Sequence, residues 1–102
     1  MARVTWHPDA LDDINEVASF IARDAPSLAK LFARRVFEAT KRLGQFPRSG
    51  REIPELGRQD IREMIVGNYR VIHHLLPDEV EVIAVVHGAR RPSVVRTRAR
   101  GH

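Results

Sequence analysis

The 102-residue chain contains no cysteine, which excludes a disulfide framework, a thiolate metal site and a cysteine nucleophile. No apolar run approaches the roughly 20 residues of a membrane-spanning helix, and the N-terminus lacks the basic-then-apolar order of a secretory signal. We therefore expect a cytoplasmic protein without membrane contacts. The length suits one domain with a modest core, whose stability a bound partner would raise.

Lysine is scarce, since Lys30 and Lys41 are the only lysines among 17 basic residues. The net charge of +4 is uneven, because five arginines lie near the C-terminus with no acidic residue among them, and the remaining chain is close to neutral. These are Arg90, Arg91, Arg96, Arg98 and Arg100. Arginine pairs well with carboxylates and phosphates, so this segment is either a contact for an anionic partner or a disordered, solubilising end.

The spacing of apolar residues predicts a strand and two helices in the first half of the chain. Residues 2–6 alternate as a half-buried strand does, residues 8–21 form an amphipathic helix that starts at a proline, and residues 26–43 form a second one. The break between the helices predicts a helical hairpin. Asp12, Asp13 and Glu16 are interpreted as solubilising groups on the outer face of the first helix.

The second half of the chain predicts three β-strands after an irregular loop. Residues 47–60 collect prolines, glycines and charges without periodicity, so no regular structure is expected there. Residues 61–66, 69–76 and 80–87 are rich in β-forming residues and are separated by turn sequences. They predict an antiparallel meander.

Two of these strands are apolar on both faces, whereas a helical hairpin covers only one face of a sheet. Strict alternation groups Val86 with Val80 and Val82 on one face, and Val85 with Ile83 on the other. Either a partner chain or the chain's own tail must cover the remaining face, and we favour the partner. Residues 91–102 are accordingly expected to be ordered only on a partner or along the sheet edge.

Four motifs, in this order, give the chain its resemblance to the RelE/ParE toxin superfamily. They are WHPDALDDI at residues 6–14, PRSGR at 47–51, REMIVGNYRVI at 62–72 and VVHGAR at 85–90. The resemblance implies an α+β fold with an N-terminal strand, an α-helical hairpin and a three-stranded antiparallel meander, forming one sheet with the helices on one face. It also implies a growth-arresting activity and a cognate antitoxin as partner. With the basic composition of the C-terminal segment, we expect a toxin domain at residues 1–90 and a basic C-terminal tail at residues 91–102.

Members of this superfamily divide between two activities, and the resemblance alone does not choose between them. ParE-like members resemble inhibitors of DNA gyrase that act by protein–protein contact, and we favour this function without enzymatic activity. RelE-like members resemble ribosome-dependent mRNA endonucleases, and in that alternative Arg70, His87 and Arg90 would be catalytic. The chain lacks a tyrosine in its tail, which argues against a nuclease. A basic nucleic-acid-binding module is a third possibility.

The favoured function implies a set of partner-binding residues. They are Phe32, Val36, Leu75 and Val85 as apolar anchors for an antitoxin segment, and Arg70, Arg90, Arg91 and Arg96 as its charged contacts. The alternative for Arg70 is an ion pair with Glu63 across the turn at Gly67. His73 and His74 are adjacent in a strand and point to opposite faces, so no metal site and no cofactor are expected.

Overall fold

The computed structural model describes residues 2–100 as one five-stranded sheet with a helical hairpin packed on one face. The elements are β1 (Arg3–Trp6), α1 (Pro8–Ala22), α2 (Pro26–Lys41), a 3-10 turn (Arg42–Gly44), β2 (Arg51–Glu52), β3 (Ile61–Val66), β4 (Tyr69–Leu75), β5 (Glu79–His87) and α3 (Val95–Arg98). The strand order is β1-β5-β4-β3-β2, in which β1 runs parallel to β5 and the other neighbours are antiparallel. None of the helices within residues 2–100 has the length and apolar character that crossing a bilayer requires.

The helical hairpin and the meander lie where the sequence predicts them. Pro8 opens α1, and the His7 ring caps this helix by accepting a hydrogen bond from the Asp9 amide at 3.0 Å. Pro26 opens α2 after the predicted break. Gly67 has a φ of +59° in the turn between β3 and β4, a conformation that favours glycine. The predicted α+β class is therefore confirmed.

One strand lies in the loop for which the sequence predicts no regular structure. Arg51 and Glu52 form β2 and pair with Glu63 and Arg62 of β3, so the sheet has five strands rather than four. Two residues are too few to show the alternation from which a strand is predicted. The pairing partner, rather than the local sequence, makes this segment extended.

Two apolar layers form the core, one on each face of the sheet. The helix-side layer consists of Ala10, Ile14, Phe32, Val36, Val66, Val71, Val82 and Val85. The tail-side layer consists of Ile53, Ile61, Ile72, Ile83, Ala84, Val86, Val95 and Ala99. Val95 and Ala99, which are 2% and 3% exposed, come from the C-terminal segment.

The expectation that another chain covers the second face is therefore wrong. Val95 and Ala99 are four residues apart, so they share one side of a helical turn and pack together on the sheet. The described part of the predicted tail is ordered on its own chain, while residues 101 and 102 lie outside the described residues. Residues beyond 90 thus contribute to the hydrophobic core.

A β-bulge changes which valines of β5 face the helices. Ile72 pairs with Ala84, but the next residue of β4, His73, pairs with Val82, so one residue of β5 is unpaired. As a result Ile83 and Ala84 both belong to the tail-side layer, and the alternation is reversed beyond them. Val85 packs under the helices and Val86 on the tail side, whereas strict alternation predicts the opposite.

Candidate functional site

The C-terminal segment is fastened to the sheet by an ion pair between Arg98 and Asp13 of α1. Arg98 Nη1 donates to Asp13 Oδ2 at 2.7 Å and to the Ile83 carbonyl oxygen at 2.9 Å, while the Val85 amide donates to the same Asp13 oxygen at 3.0 Å. Because β1 ends at Trp6, this stretch of β5 lacks a neighbouring strand on that side. Asp13 is therefore a structural residue, and interpreting it as a solubilising group is wrong.

A second tail arginine also binds within the chain. Arg100 Nη2 lies 3.0 Å from Glu79 Oε2, and Arg100 Nε lies 3.4 Å from Glu81 Oε1. Thr5 donates a hydrogen bond to the same Glu79 carboxylate, and these contacts lower the pKa of Glu79, with the Thr5 hydrogen bond the larger cause. Arg98 thus fastens the docked tail, while Arg100, whose side chain is 56% exposed, contacts carboxylates of β5 at the surface.

Arg70 lies in a network of ion pairs on the tail-side face of the sheet. Its Nη2 lies 2.9 Å from Glu55 Oε2, and its Nε lies 3.5 Å from Glu63 Oε1. Glu63 is fully buried and also accepts a hydrogen bond from Arg51 Nε at 2.7 Å. The hydrogen bond between Arg70 and Glu55 is the largest cause that raises the pKa of Arg70 and lowers the pKa of Glu55. The predicted pair of Arg70 with Glu63 is present.

His87 lies on the opposite face of the sheet from Arg70. His87 pairs directly with Tyr69, and their rings meet edge to face at 5.5 Å, while the Tyr69 ring contacts Phe32 of α2 at 5.1 Å. Tyr69 therefore places His87 on the helix side, whereas the next pair along, Arg70 and Val86, faces the tail side. His87 Nδ1 accepts a hydrogen bond from the Ala89 amide at 3.1 Å.

The structure brings His87 and Arg90 together, but without Arg70. Both line a surface cleft of about 740 Å³ at the end of β5, and Tyr69, Glu16 and Arg98 are among its other lining residues. The side chains of Arg90, Arg91 and Arg96 are exposed and form no ion pair with an acidic residue of the described chain. Their predicted partner contacts stay a prediction.

Three of the predicted apolar anchors are buried in the chain's own core, which corrects the expectation that they are available to an antitoxin. Phe32, Val36 and Val85 are 8%, 0% and 3% exposed. They point inward because they supply the contact between helices and sheet. Leu75 is half-buried and lines a separate groove of about 980 Å³ beside Phe46.

The exposed apolar side chains of the hairpin are different residues from the predicted anchors. Phe20 on α1 is 64% exposed, and Leu28 and Leu31 on α2 are 56% and 36% exposed. The two leucines extend the apolar surface of α2 beyond the stripe that packs on the sheet. The helical spacing in the sequence already places Leu28 and Leu31 outside that stripe, and it places Phe20 outside the corresponding stripe of α1.

The histidines of β4 occupy unlike environments. His74 Nε2 lies 3.0 Å from Asp60 Oδ2, while His73 is fully buried and neither of its ring nitrogens has a hydrogen-bond partner within the described residues. Burial lowers the pKa of His73 to about 4, which leaves the ring neutral. Within residues 2–100, no three histidine, aspartate or glutamate side chains lie close enough together to hold a metal ion.

These features define a class of small α+β protein, in which one sheet carries a helical hairpin on one face and its own C-terminal segment on the other. The chain belongs to the ParE toxin family, because the family model described as the ParE toxin of the type II toxin–antitoxin system parDE matches residues 4–92. It is therefore the toxin component of such a system, and the predicted membership of the RelE/ParE superfamily is confirmed.

Individual relatives agree with this assignment. The chain is 31% identical over 91 residues to Toxin RelE2 of Caulobacter vibrioides, an alignment that covers 88% of this chain and 99% of the relative. It is 29% identical over 87 residues to Putative toxin Y4kP of Sinorhizobium fredii, with coverages of 83% and 86%. A chain from the chromosomal ParDE TA system of P. aeruginosa shares the fold, with a TM-score of 0.70, 16% identity, and coverage of 85% of this chain and 96% of that one.

Proposed function

We propose that this toxin inhibits a DNA topoisomerase by protein–protein contact, with DNA gyrase as the favoured target, and that a cognate antitoxin neutralises it. The observation that carries the proposal is the separation of Arg70 from His87 by the sheet itself. A metal-independent ribonuclease needs its phosphate-binding and proton-transferring groups around one scissile phosphate. Side chains on opposite faces of a sheet do not meet at one phosphate.

The individual residues also disfavour nuclease chemistry. Arg70 is 11% exposed at its side chain and is paired with Glu55 and Glu63, so binding an RNA phosphate would break both contacts. The only tyrosine, Tyr69, packs its ring between Phe32 and His87. The remaining cleft, with His87 and Arg90, also contains the carboxylate of Glu16, which repels a phosphate.

The exposed apolar side chains of the hairpin support a protein partner. Phe20, Leu28 and Leu31 are large hydrophobic residues that the chain itself leaves open, and such residues favour docking of an amphipathic segment. We infer that an antitoxin segment covers them and folds as it binds. The exposed arginines Arg90, Arg91 and Arg96 would pair with its acidic residues.

The deciding experiment is induction of the chain alone in bacterial cells, with parallel measurement of transcript integrity, translation, filamentation and the DNA damage response. Filamentation with intact transcripts is expected, together with loss of supercoiling when purified toxin is added to gyrase. Early translation arrest with cut transcripts would overturn the proposal. A His87→Gln variant serves as a control, because a topoisomerase inhibitor should retain its toxicity whereas the alternative nuclease should lose it.

A further inference from the structure

The segment that comprises α2, the 3-10 turn after it and the start of the following loop carries a concentration of positive charge that the chain leaves unpaired. Residues 26–48 contain six basic side chains and one acidic one, Glu38. The six are Lys30, Arg34, Arg35, Lys41, Arg42 and Arg48, and they include both lysines of the protein. All six are exposed, and none forms an ion pair with an acidic residue of the described chain.

Three of these residues form a straight row. At 100° per residue, Lys30, Arg34 and Lys41 fall within about 40° of one another around the helix axis. At 1.5 Å per residue, the row from Lys30 to Lys41 is about 16 Å long. Phe37 lies in the same row, is 46% exposed and packs its inner side on the Trp6 ring at 5.1 Å. We refer to Lys30, Arg34, Phe37 and Lys41, with the neighbouring Arg42, as the α2 basic row.

Five arginines of the sheet, of the loop before β3 and of the C-terminal segment have a different role. Arg51, Arg58, Arg70, Arg98 and Arg100 each contact a carboxylate within the chain. The α2 basic row therefore differs from them, because exposed charges without partners contribute little to folding and are free to bind an anion.

We propose that the α2 basic row binds the phosphate backbone of duplex DNA. Each strand of a duplex presents about one negative charge per 3.4 Å of axis, so a 16 Å row spans about five phosphates of one strand. Flexible, strongly charged lysine and arginine side chains suit such contacts, which require no fixed base sequence. Phe37 at the centre of the row offers an apolar contact to the sugars.

The neighbouring helix defines the direction from which a duplex approaches. The exposed carboxylates of α1, Asp12 and Glu16, repel phosphates, so the DNA must lie along the outer side of α2 and away from α1. Around the helix axis, Leu31 lies about 60° and Leu28 about 120° from Arg34, which is the nearest member of the straight row. An antitoxin on these leucines and DNA on Lys30, Arg34 and Lys41 would therefore contact different sides of α2.

This inference rests on the proposed function. A topoisomerase holds a DNA duplex, and the α2 basic row would contact that duplex when the toxin binds the enzyme. The physical contact is testable without the enzyme. The probe is a fluorescently labelled duplex of DNA of arbitrary sequence, with an RNA duplex of the same sequence in parallel, and the measurement is anisotropy between 50 and 200 mM salt.

Two variants with equal loss of charge separate the α2 basic row from general attraction. Lys30→Gln/Arg34→Gln/Lys41→Gln removes three charges from the row, and Arg90→Gln/Arg91→Gln/Arg96→Gln removes three exposed charges from the C-terminal segment. Glutamine is a good helix former, so the helix should persist, which circular dichroism verifies.

For four phosphate contacts the affinity of the unaltered protein should fall about 150-fold between 50 and 200 mM salt, since the logarithmic slope is about −0.9 per contact. The α2 variant should retain about one contact and lose only about fourfold over the same range, with weaker binding at 50 mM. The C-terminal variant should keep the steep slope.

Three results would overturn the proposal: no DNA binding by the unaltered protein at 50 mM salt, an equal loss of slope in both triple variants, or binding of the RNA duplex alone. Binding of both duplexes through the α2 basic row supports recognition of the phosphate backbone. If DNA binds as expected while purified toxin leaves gyrase active, the contact with DNA stands and the proposed topoisomerase target fails.

Discussion

Replacing Asp13 by alanine should destabilise the protein more than any other change to an acidic residue of α1. One oxygen of this carboxylate accepts hydrogen bonds from Arg98 and from the Val85 amide, so the change removes two contacts at once. The side chains of Asp13 and Arg98 are 17% and 15% exposed, so water replaces the lost contacts poorly.

The magnitude follows from these two contacts. An unsatisfied backbone amide costs about 1–3 kcal/mol, and a hydrogen bond to a charged group contributes about 1.5–3 kcal/mol. Allowing for partial relaxation, we expect Asp13→Ala to lower the free energy of unfolding by about 3 kcal/mol, a large share of the 5–15 kcal/mol of a typical domain. Asp13→Asn retains an acceptor for Val85 and should cost about half as much. The melting temperature of the alanine variant should fall by about 15 °C.

Urea unfolding followed by circular dichroism measures these differences. Asp12→Ala is the matched control, because Asp12 is exposed on the same helix and should change stability by no more than about 0.5 kcal/mol. Arg98→Gln and the double variant complete a cycle, in which the two residues should be coupled by about 1–2 kcal/mol. If Asp13→Ala and Asp12→Ala unfold at the same urea concentration, Asp13 does not hold the C-terminal segment on the sheet.

Three further predictions test other parts of the structure. Burial lowers the pKa of His73 to about 4 from an ordinary 6.5, so the unfolded chain takes up the proton first as the pH falls. Stability should therefore decrease by about 3 kcal/mol between pH 6.5 and 4, and urea unfolding at pH 7.5 and 4.5 should show much less pH dependence in His73→Leu. In Gly50→Ala the new Cβ would lie 2.5 Å from His73 Cε1, so we expect the free energy of unfolding to fall by about 1–3 kcal/mol in the same assay. An unchanged free energy of unfolding would refute the close packing of Gly50 against His73. Leu28→Ser/Leu31→Ser should weaken binding of purified cognate antitoxin at least tenfold in calorimetry, whereas Phe46→Ser, at a similarly exposed site off the hairpin, should not.

Local sequence signals were sufficient to predict most elements of the fold. Prolines at positions 8 and 26 mark the first residues of both long helices, and the predicted strand at residues 61–66 coincides with β3. Each of these elements has a repeating apolar pattern over several residues or a residue type that fixes its boundary. The helical hairpin and the meander therefore follow from the chain alone.

Features that depend on distant contacts did not follow from the sequence. The bulge in β5 arises from its pairing with β4, and it reverses the faces of Val85 and Val86. Docking of α3 depends on Arg98 meeting Asp13 of α1, 85 residues earlier in the chain. Val95 and Ala99 are only two apolar residues in a short basic segment, so the local sequence does not predict that they are buried. Their burial depends on the apolar face of the sheet that they cover.

The same limit applies to the candidate site, and there it changes the functional argument. Arg70 and His87 both lie on strands, so sequence spacing cannot say whether they share a face without the register between β4 and β5. That register pairs Tyr69 with His87 and thereby assigns Arg70 to the opposite side. This separation is the reason for which we propose contact with a protein or with DNA, which needs only the outer surfaces of the hairpin, in place of a nuclease site built from Arg70 and His87. The exposed leucines and the α2 basic row lie on those surfaces, which is why the activity is best sought on α2 rather than between the strands.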